Sequence, residues 1–151
     1  MKARKQMPEK LTEMRTFFND LAPEYDKKIA DKADADWESK QLVASFLPEH
    51  TQSLIDFGIG TGLELEAIFA RFPGIKVTGL DIAENMLQVL KNKYADRGLN
   101  LCCESYLDYD FGCERYDAAL SIKTLHGFGN VREVWSKQSA QGMIVILVAH
   151  K

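Results

Sequence analysis

Apolar residues follow two different rhythms along the chain. Leu11, Met14, Phe17, Phe18 and Leu21 recur every three or four positions, the spacing that gathers side chains on one helical face. Pro23 closes that run because it has no amide to donate. Trp37, Val43, Phe46 and Leu47 predict a second helix that stops at Pro48. Between the two, EYDKKIADKADADWESK is dominated by charge and is expected to be a solvated link. From Ser53 onward the rhythm changes. Short apolar runs at Ser53–Phe57, Lys76–Leu80, Leu99–Cys103, Ala118–Ile122 and Met143–Val148 predict strands. Helical spacing separates them, first through Leu63, Ala67, Ile68 and Phe72, then through Met86, Leu87, Leu90 and Tyr94. Strand and helix in alternation predict an α/β fold, a parallel sheet joined by right-handed helical crossovers.

The chain has 151 residues, which suits one domain, read as a helical cap over residues 1–50 and an α/β core over 51–151. With 46% hydrophobic and 27% charged residues it has the composition of a folded globular protein. Its formal net charge of -3 offers no basic field for a phosphate backbone, so nucleic acid is not expected as a partner. The longest apolar stretch, Met143–Ala149, is far shorter than the roughly 20 residues that span a bilayer, so no membrane partner is expected. The start, MKARKQMPEKL, carries positive charge without a following apolar run and does not read as a secretory signal. Cys102, Cys103 and Cys113 are odd in number and lack a CxxC spacing, which points to a reducing, cytoplasmic setting, to no metal site, and to thiols packed as small buried residues.

The most specific segment is LIDFGIGTGLE, residues 54–64, where an apolar strand runs into three alternate glycines and then a helix. Gly58, Gly60 and Gly62 permit positive backbone angles and let a ligand approach the main chain. The helix behind the loop is expected to turn its free amides toward a carboxylate or phosphate. A dinucleotide fingerprint would need glycine at position 63, which is Leu63. Asp81 ends the second predicted strand, 19 residues beyond Gly62. A right-handed crossover brings its carboxylate beside the glycine loop, where it can accept both hydroxyls of a ribose; the competing role is a helix N-cap.

Asp56, Phe57, Gly58, Gly60, Thr61 and Gly62 together resemble the acidic-x-Gly-x-Gly-x-Gly loop of class I, Rossmann-like S-adenosylmethionine-dependent methyltransferases. The resemblance runs from Phe17 to about Phe128. It implies a three-layer Rossmann-like sheet of order 3-2-1-4-5 with amino-terminal helices over the cleft, and S-adenosylmethionine as cofactor. FFNDLAPEYDKKI is similar to the amino-terminal signature of small bacterial members, which would place Tyr25 on the ligand. Ile82 and Met86 would flank the adenosine, although Met86 also suits plain core packing. Ser105 and Tyr106 stand where the family contacts adenine, with Glu104 adjacent and the usual acid displaced. Ser121 would lie against the methionine portion.

Departures from the family fall toward the carboxyl end. Lys123 and Gly127 replace an acid and a histidine found in near relatives, and no catalytic residue is assigned. His126 could serve a protonated acceptor as general base, or could simply be packed. SAQGMIVILVAHK is expected to supply the fifth strand, with a turn at Gly142 after a short helix at about Val131–Gln138, and the sequence stops at Lys151 without residues for the family's last two strands. An exposed sheet edge would follow, which a homodimer could cover. The expected function is methyl transfer to a small-molecule acceptor; the alternative is a catalytically silent S-adenosylmethionine-binding or regulatory module, and a nucleotide-dependent oxidoreductase is disfavoured by Leu63.

Overall fold

The computed structural model describes residues 9–32, 35–111, 116–122, 124 and 143–147. Helix α1 (Glu9–Leu21) leads through a 3-10 turn (Ala22–Glu24) into α2 (Tyr25–Lys32) and α3 (Ala35–Phe46). The core then alternates β1 (Ser53–Phe57), α4 (Leu65–Arg71), β2 (Lys76–Asp81), α5 (Glu84–Lys93), β3 (Asn100–Cys103), β4 (Ala118–Ile122) and β5 (Met143–Leu147). All five strands pair in parallel, in the order β3-β2-β1-β4-β5 expected from the sequence.

β1 is the centre of the sheet, with Leu54 opposite Val77 of β2 and Ala118 of β4. Successive strand residues point to opposite faces, yet Leu54, Ile55 and Asp56 are all buried, so both faces of β1 are covered. That double cover explains the adjacent apolar residues Leu54 and Ile55 and leaves Asp56 buried beside them. Leu54 and Leu120 share one core with Val43 and Leu47 of α3, Leu65, Ile68 and Phe69 of α4, and Leu87 and Leu90 of α5. Truncating a fully buried leucine such as Leu54 to alanine would cost about 2–5 kcal/mol.

Three expectations need correction. The charged stretch after Pro23 is not a solvated link: α2 fills residues 25–32 and α3 begins at Ala35. Two of its charges face inward, Asp26 toward Thr61 and Lys93 and Lys40 toward Glu64, through contacts distant in sequence. The helix after the glycine loop starts at Leu65, two residues later than Leu63, because the loop needs Leu63 and Glu64 to complete its turn; Leu63 is buried outside the helix. The cysteines are not packed inside, since β3 is an edge strand: Cys102 is half-buried and Cys103 exposed. Cys113, Gly142, Val148 and the segment 131–138 lie outside the described residues.

Candidate functional site

Where β1 ends, the chain folds back over the end of β2. The amides of Gly58 and Ile59 both donate to the Leu80 carbonyl, at 2.7 and 3.1 Å. Gly60 then takes φ 56°, and its amide donates to Asp81 Oδ2 at 2.8 Å. A Cβ on Gly60 would meet nothing within 4 Å, because the loop faces a cavity there. Gly58 is tight instead: a Cβ would sit 2.1 Å from Thr124 Oγ1, which lies 3.0 Å from the Phe57 carbonyl and 3.2 Å from that of Ile122.

Asp81 stands at the carboxyl edge beside the glycine loop, but it does not cap α5, whose N-cap residue is Ala83. The second Asp81 oxygen accepts the Ala83 amide at 2.8 Å, just ahead of α5, so the carboxylate is held between loop and helix start. Burial raises its pKa above the usual carboxylate range, opposed by the amides of Ala83 and Gly60 and by that of Ile82, which donates to the same carboxylate.

The amino-terminal helices close over this edge. Ala22, Ala83 and Met86 form a small buried cluster against Phe18, Tyr25 and Val89. Asn19 Oδ1 accepts the Asn85 amide at 2.9 Å, and Asp26 binds Lys93 Nζ at 2.7 Å while accepting the Thr61 hydroxyl. These bonds dock α1 and α2 onto α5 and the loop, which sets Tyr25 at the site. Burial keeps the Tyr25 phenol protonated by raising its pKa.

The cavity so enclosed holds about 530 Å³, within the range of small-molecule sites. Tyr25, Gly58, Gly60 and Asp81 line it, as do Ile82, Met86, Ser105 and Tyr106. Asp56, Phe57, Thr61, Gly62 and Ser121 lie outside its wall. Phe57 points instead to the rings of Tyr106 and Phe111, edge-on with centroids 5.5 and 6.0 Å away. Thr61 is engaged by Asp26. Ser105 shapes the turn beyond β3, its carbonyl accepting the amides of Asp108 and Tyr109 at 2.9 and 3.1 Å. Burial pushes the neighbouring Tyr106 phenol up to about 12. Lys123, His126 and Gly127 lie outside the described residues. A second hollow, between α3 and α4, is an open groove lined by Gln41, Ala44, Ser45, Ala67, Ala70 and Arg71.

Anion attraction does not come from the helix behind the loop. α4 has only 7 residues, and Glu64 and Glu66 already occupy its start. Two lysines line the cavity among the described residues, the exposed Lys10 and the buried Lys40 of α3, which the sequence reading missed. The Lys40 side chain lies with Nζ 3.0 Å from Glu64 Oε2. Burial works against the ammonium, but Glu64, helped by Tyr25 and Asp56, more than offsets it and carries the Lys40 pKa to about 12. Asp56 lies behind, fully buried, and burial together with the Glu64 carboxylate raises its pKa well above the usual range. Other wall residues not singled out beforehand are Ile29, Ile59, Ile122 and Thr124.

A parallel sheet of this order, with a glycine turn after β1 and an acid after β2, defines the Rossmann-like class that binds ligands at the carboxyl ends of its strands. The methyltransferase-domain family matches residues 54–140, more than half of the chain, and the chain belongs to that family. Demethylmenaquinone methyltransferase of Chlorobaculum tepidum is 32% identical over 87 residues, covering 54% of this chain and 36% of that one. Ribosomal RNA small subunit methyltransferase H of Thermotoga neapolitana is 31% identical over 75 residues, 48% of this chain and 25% of that one. The chain thus spans well under two thirds of these relatives. CalS10, an amino pentose methyltransferase of Micromonospora echinaspora solved with SAM bound, superposes with a TM-score of 0.58 at 25% identity, over 71% of this chain and 44% of that one. No helix among the described residues is long and apolar enough to cross a membrane.

Proposed function

We propose that this chain binds S-adenosylmethionine and transfers its methyl group to a small-molecule acceptor. The observation that carries the reading is one cavity in which a buried ammonium, Lys40, accompanies a carboxylate, Asp81, clamped to the amide of Gly60. These residues fit the cofactor's two ends. The fixed Asp81 oxygens suit a ribose diol, and Lys40 suits the α-carboxylate of a methionine. Ile82, Met86, Ser105 and Tyr106 would enclose the adenine, while Gly60 leaves room for the amino-acid tail.

When bound, the cofactor supplies an electrophilic methyl group on a sulfonium. The chain's own part is alignment and exclusion of water, which α1 and α2 perform by docking over the loop. The net charge of -3 supports a small acceptor over a phosphate backbone, although one relative is named for ribosomal RNA. Cysteine usage supports a cytoplasmic setting. A homodimer across an open sheet edge belongs to the same reading, since β5 is paired on one side only among the described residues.

The test is a thermal-shift series followed by a search for product. S-adenosylmethionine and S-adenosylhomocysteine should raise the melting temperature and NAD should not. Labelled methyl should then appear on a component of a metabolite extract. Binding without any labelled product would favour the silent module, and stabilisation by NAD alone would overturn the cofactor assignment.

A further inference from the structure

Between β1 and the α3–α4 pair lies a buried ionic cluster for which alignment of the cofactor gives no reason. Lys40 is 8% exposed, and Glu64 and Asp56 are each 1% exposed. Asp56 Oδ2 has no hydrogen-bond partner. Burial beside the Glu64 carboxylate raises the Asp56 pKa, and Lys40 and Glu64 form an ion pair at 3.0 Å. Of the three, only Lys40 reaches the cavity wall. Glu64 therefore touches no ligand and stands directly behind the lysine.

Other cations cannot take that place. Lys10, the second cation on the wall, is exposed at the mouth. Lys93 is bound to Asp26, and Arg15 lies 3.8 Å from Glu84 on the outside of α1. Among the described residues, Lys40 alone brings a desolvated cation to the cavity wall. A lysine stem turns freely about four bonds and would leave a dry site for water unless held. Glu64 holds it by one N–H at 3.0 Å and leaves two N–H donors over.

We propose that Glu64 is a positioning residue which, by fixing the Lys40 ammonium at the cavity wall, makes the site select adenosyl ligands that carry an amino-acid carboxylate over those that lack one. The inference rests on the cofactor reading above and adds a discriminator to it. A ligand without the amino acid gains only the ribose and adenine contacts. A ligand with it gains a charge-assisted bond in a dry setting.

Calorimetry with two probes tests this: S-adenosylhomocysteine, and 5′-methylthioadenosine, an adenosyl thioether with no amino acid. Wild type should bind the first at least about tenfold more tightly, the equivalent of ~1.4 kcal/mol. Glu64→Gln should cut the affinity for S-adenosylhomocysteine about tenfold and leave that for methylthioadenosine within about twofold. If Glu64→Gln alone does not fold, the double variant Lys40→Met/Glu64→Gln removes both charges together and keeps the volume. It should bind both probes equally, while Lys40→Arg should retain discrimination. A parallel fall for both probes in Glu64→Gln, or undiminished discrimination in the double variant, overturns the role of Glu64 and leaves the cofactor reading standing. If folded wild type binds neither probe, the cofactor reading itself falls, and this one with it.

Discussion

Gly60→Ala separates the two duties of the glycine loop, folding and binding. The backbone at Gly60 has φ 56°, so an alanine there pays the left-handed penalty of about 1–2 kcal/mol. No steric cost is added, since the new methyl meets nothing within 4 Å. For a domain of this size that loss lowers the melting temperature by about 3–6 °C. The methyl enters the cavity beside the Gly60–Asp81 bond, where the amino-acid tail would lie. Saturating ligand at about one hundred times its dissociation constant stabilises by ≈2.7 kcal/mol, a shift of about 8 °C in wild type. In Gly60→Ala the shift should fall below about 2 °C. Gly98→Ala is the matched control: its φ is 64°, its Cβ also meets nothing within 4 Å, and it sits between α5 and β3 away from the cavity. It should lose a similar amount of stability and keep the whole ligand shift. Differential scanning fluorimetry with S-adenosylhomocysteine reads all three proteins. A full shift in Gly60→Ala would refute the placement of the ligand against this loop.

Three further outcomes follow from the polar contacts. Asp56 has its folded pKa raised by burial, so its burden on stability grows as pH climbs from the unfolded value near ~4 toward the folded one. Asp56→Asn should therefore raise the melting temperature more at pH 8 than at pH 5, and equal gains at both would contradict a raised Asp56 pKa. Asp117 has the opposite sign: its carboxylate accepts the amides of Gln52 and Ser53 at 2.9 Å each, which lowers its pKa and tethers the start of β1 to that of β4. That contribution is complete above about pH 4 and is lost below it, so Asp117→Asn should flatten part of the acid limb of a pH–stability curve and change little at pH 7 beyond a small loss. Asp26→Ala removes the tie from α2 to Thr61 and Lys93 and should cost about 1–2 kcal/mol in urea denaturation, with weaker S-adenosylhomocysteine binding; unchanged binding would show that the docked cap does not contribute to the site.

What could be read from the sequence was governed by local physics. β1 and β2 are buried on both faces, so neighbouring uncharged residues, Leu54 with Ile55 and Val77 through Leu80, mark them; the glycine loop marks itself because Gly60 needs a positive φ beside a ligand space. α2 was hidden because YDKKIADK has almost no apolar stripe, and the partners that hold it, Thr61 and Lys93, lie 35 and 67 residues from Asp26. Asp56 and Phe57 sit in the motif but point away from the cavity, one to each side of the strand, as strand alternation requires of neighbours. Lys40 was the larger omission, and it did leave a signal. It stands three residues before Val43 and seven before Leu47, in phase with the buried stripe of α3, while Glu64 stands four before Ile68 and eight before Phe72. A lysine and a glutamate each in phase with an apolar face cannot both remain charged and dry unless they meet. Read that way, two residues that look like solvated charges one at a time become a pair, and the pair locates the positive end of the site.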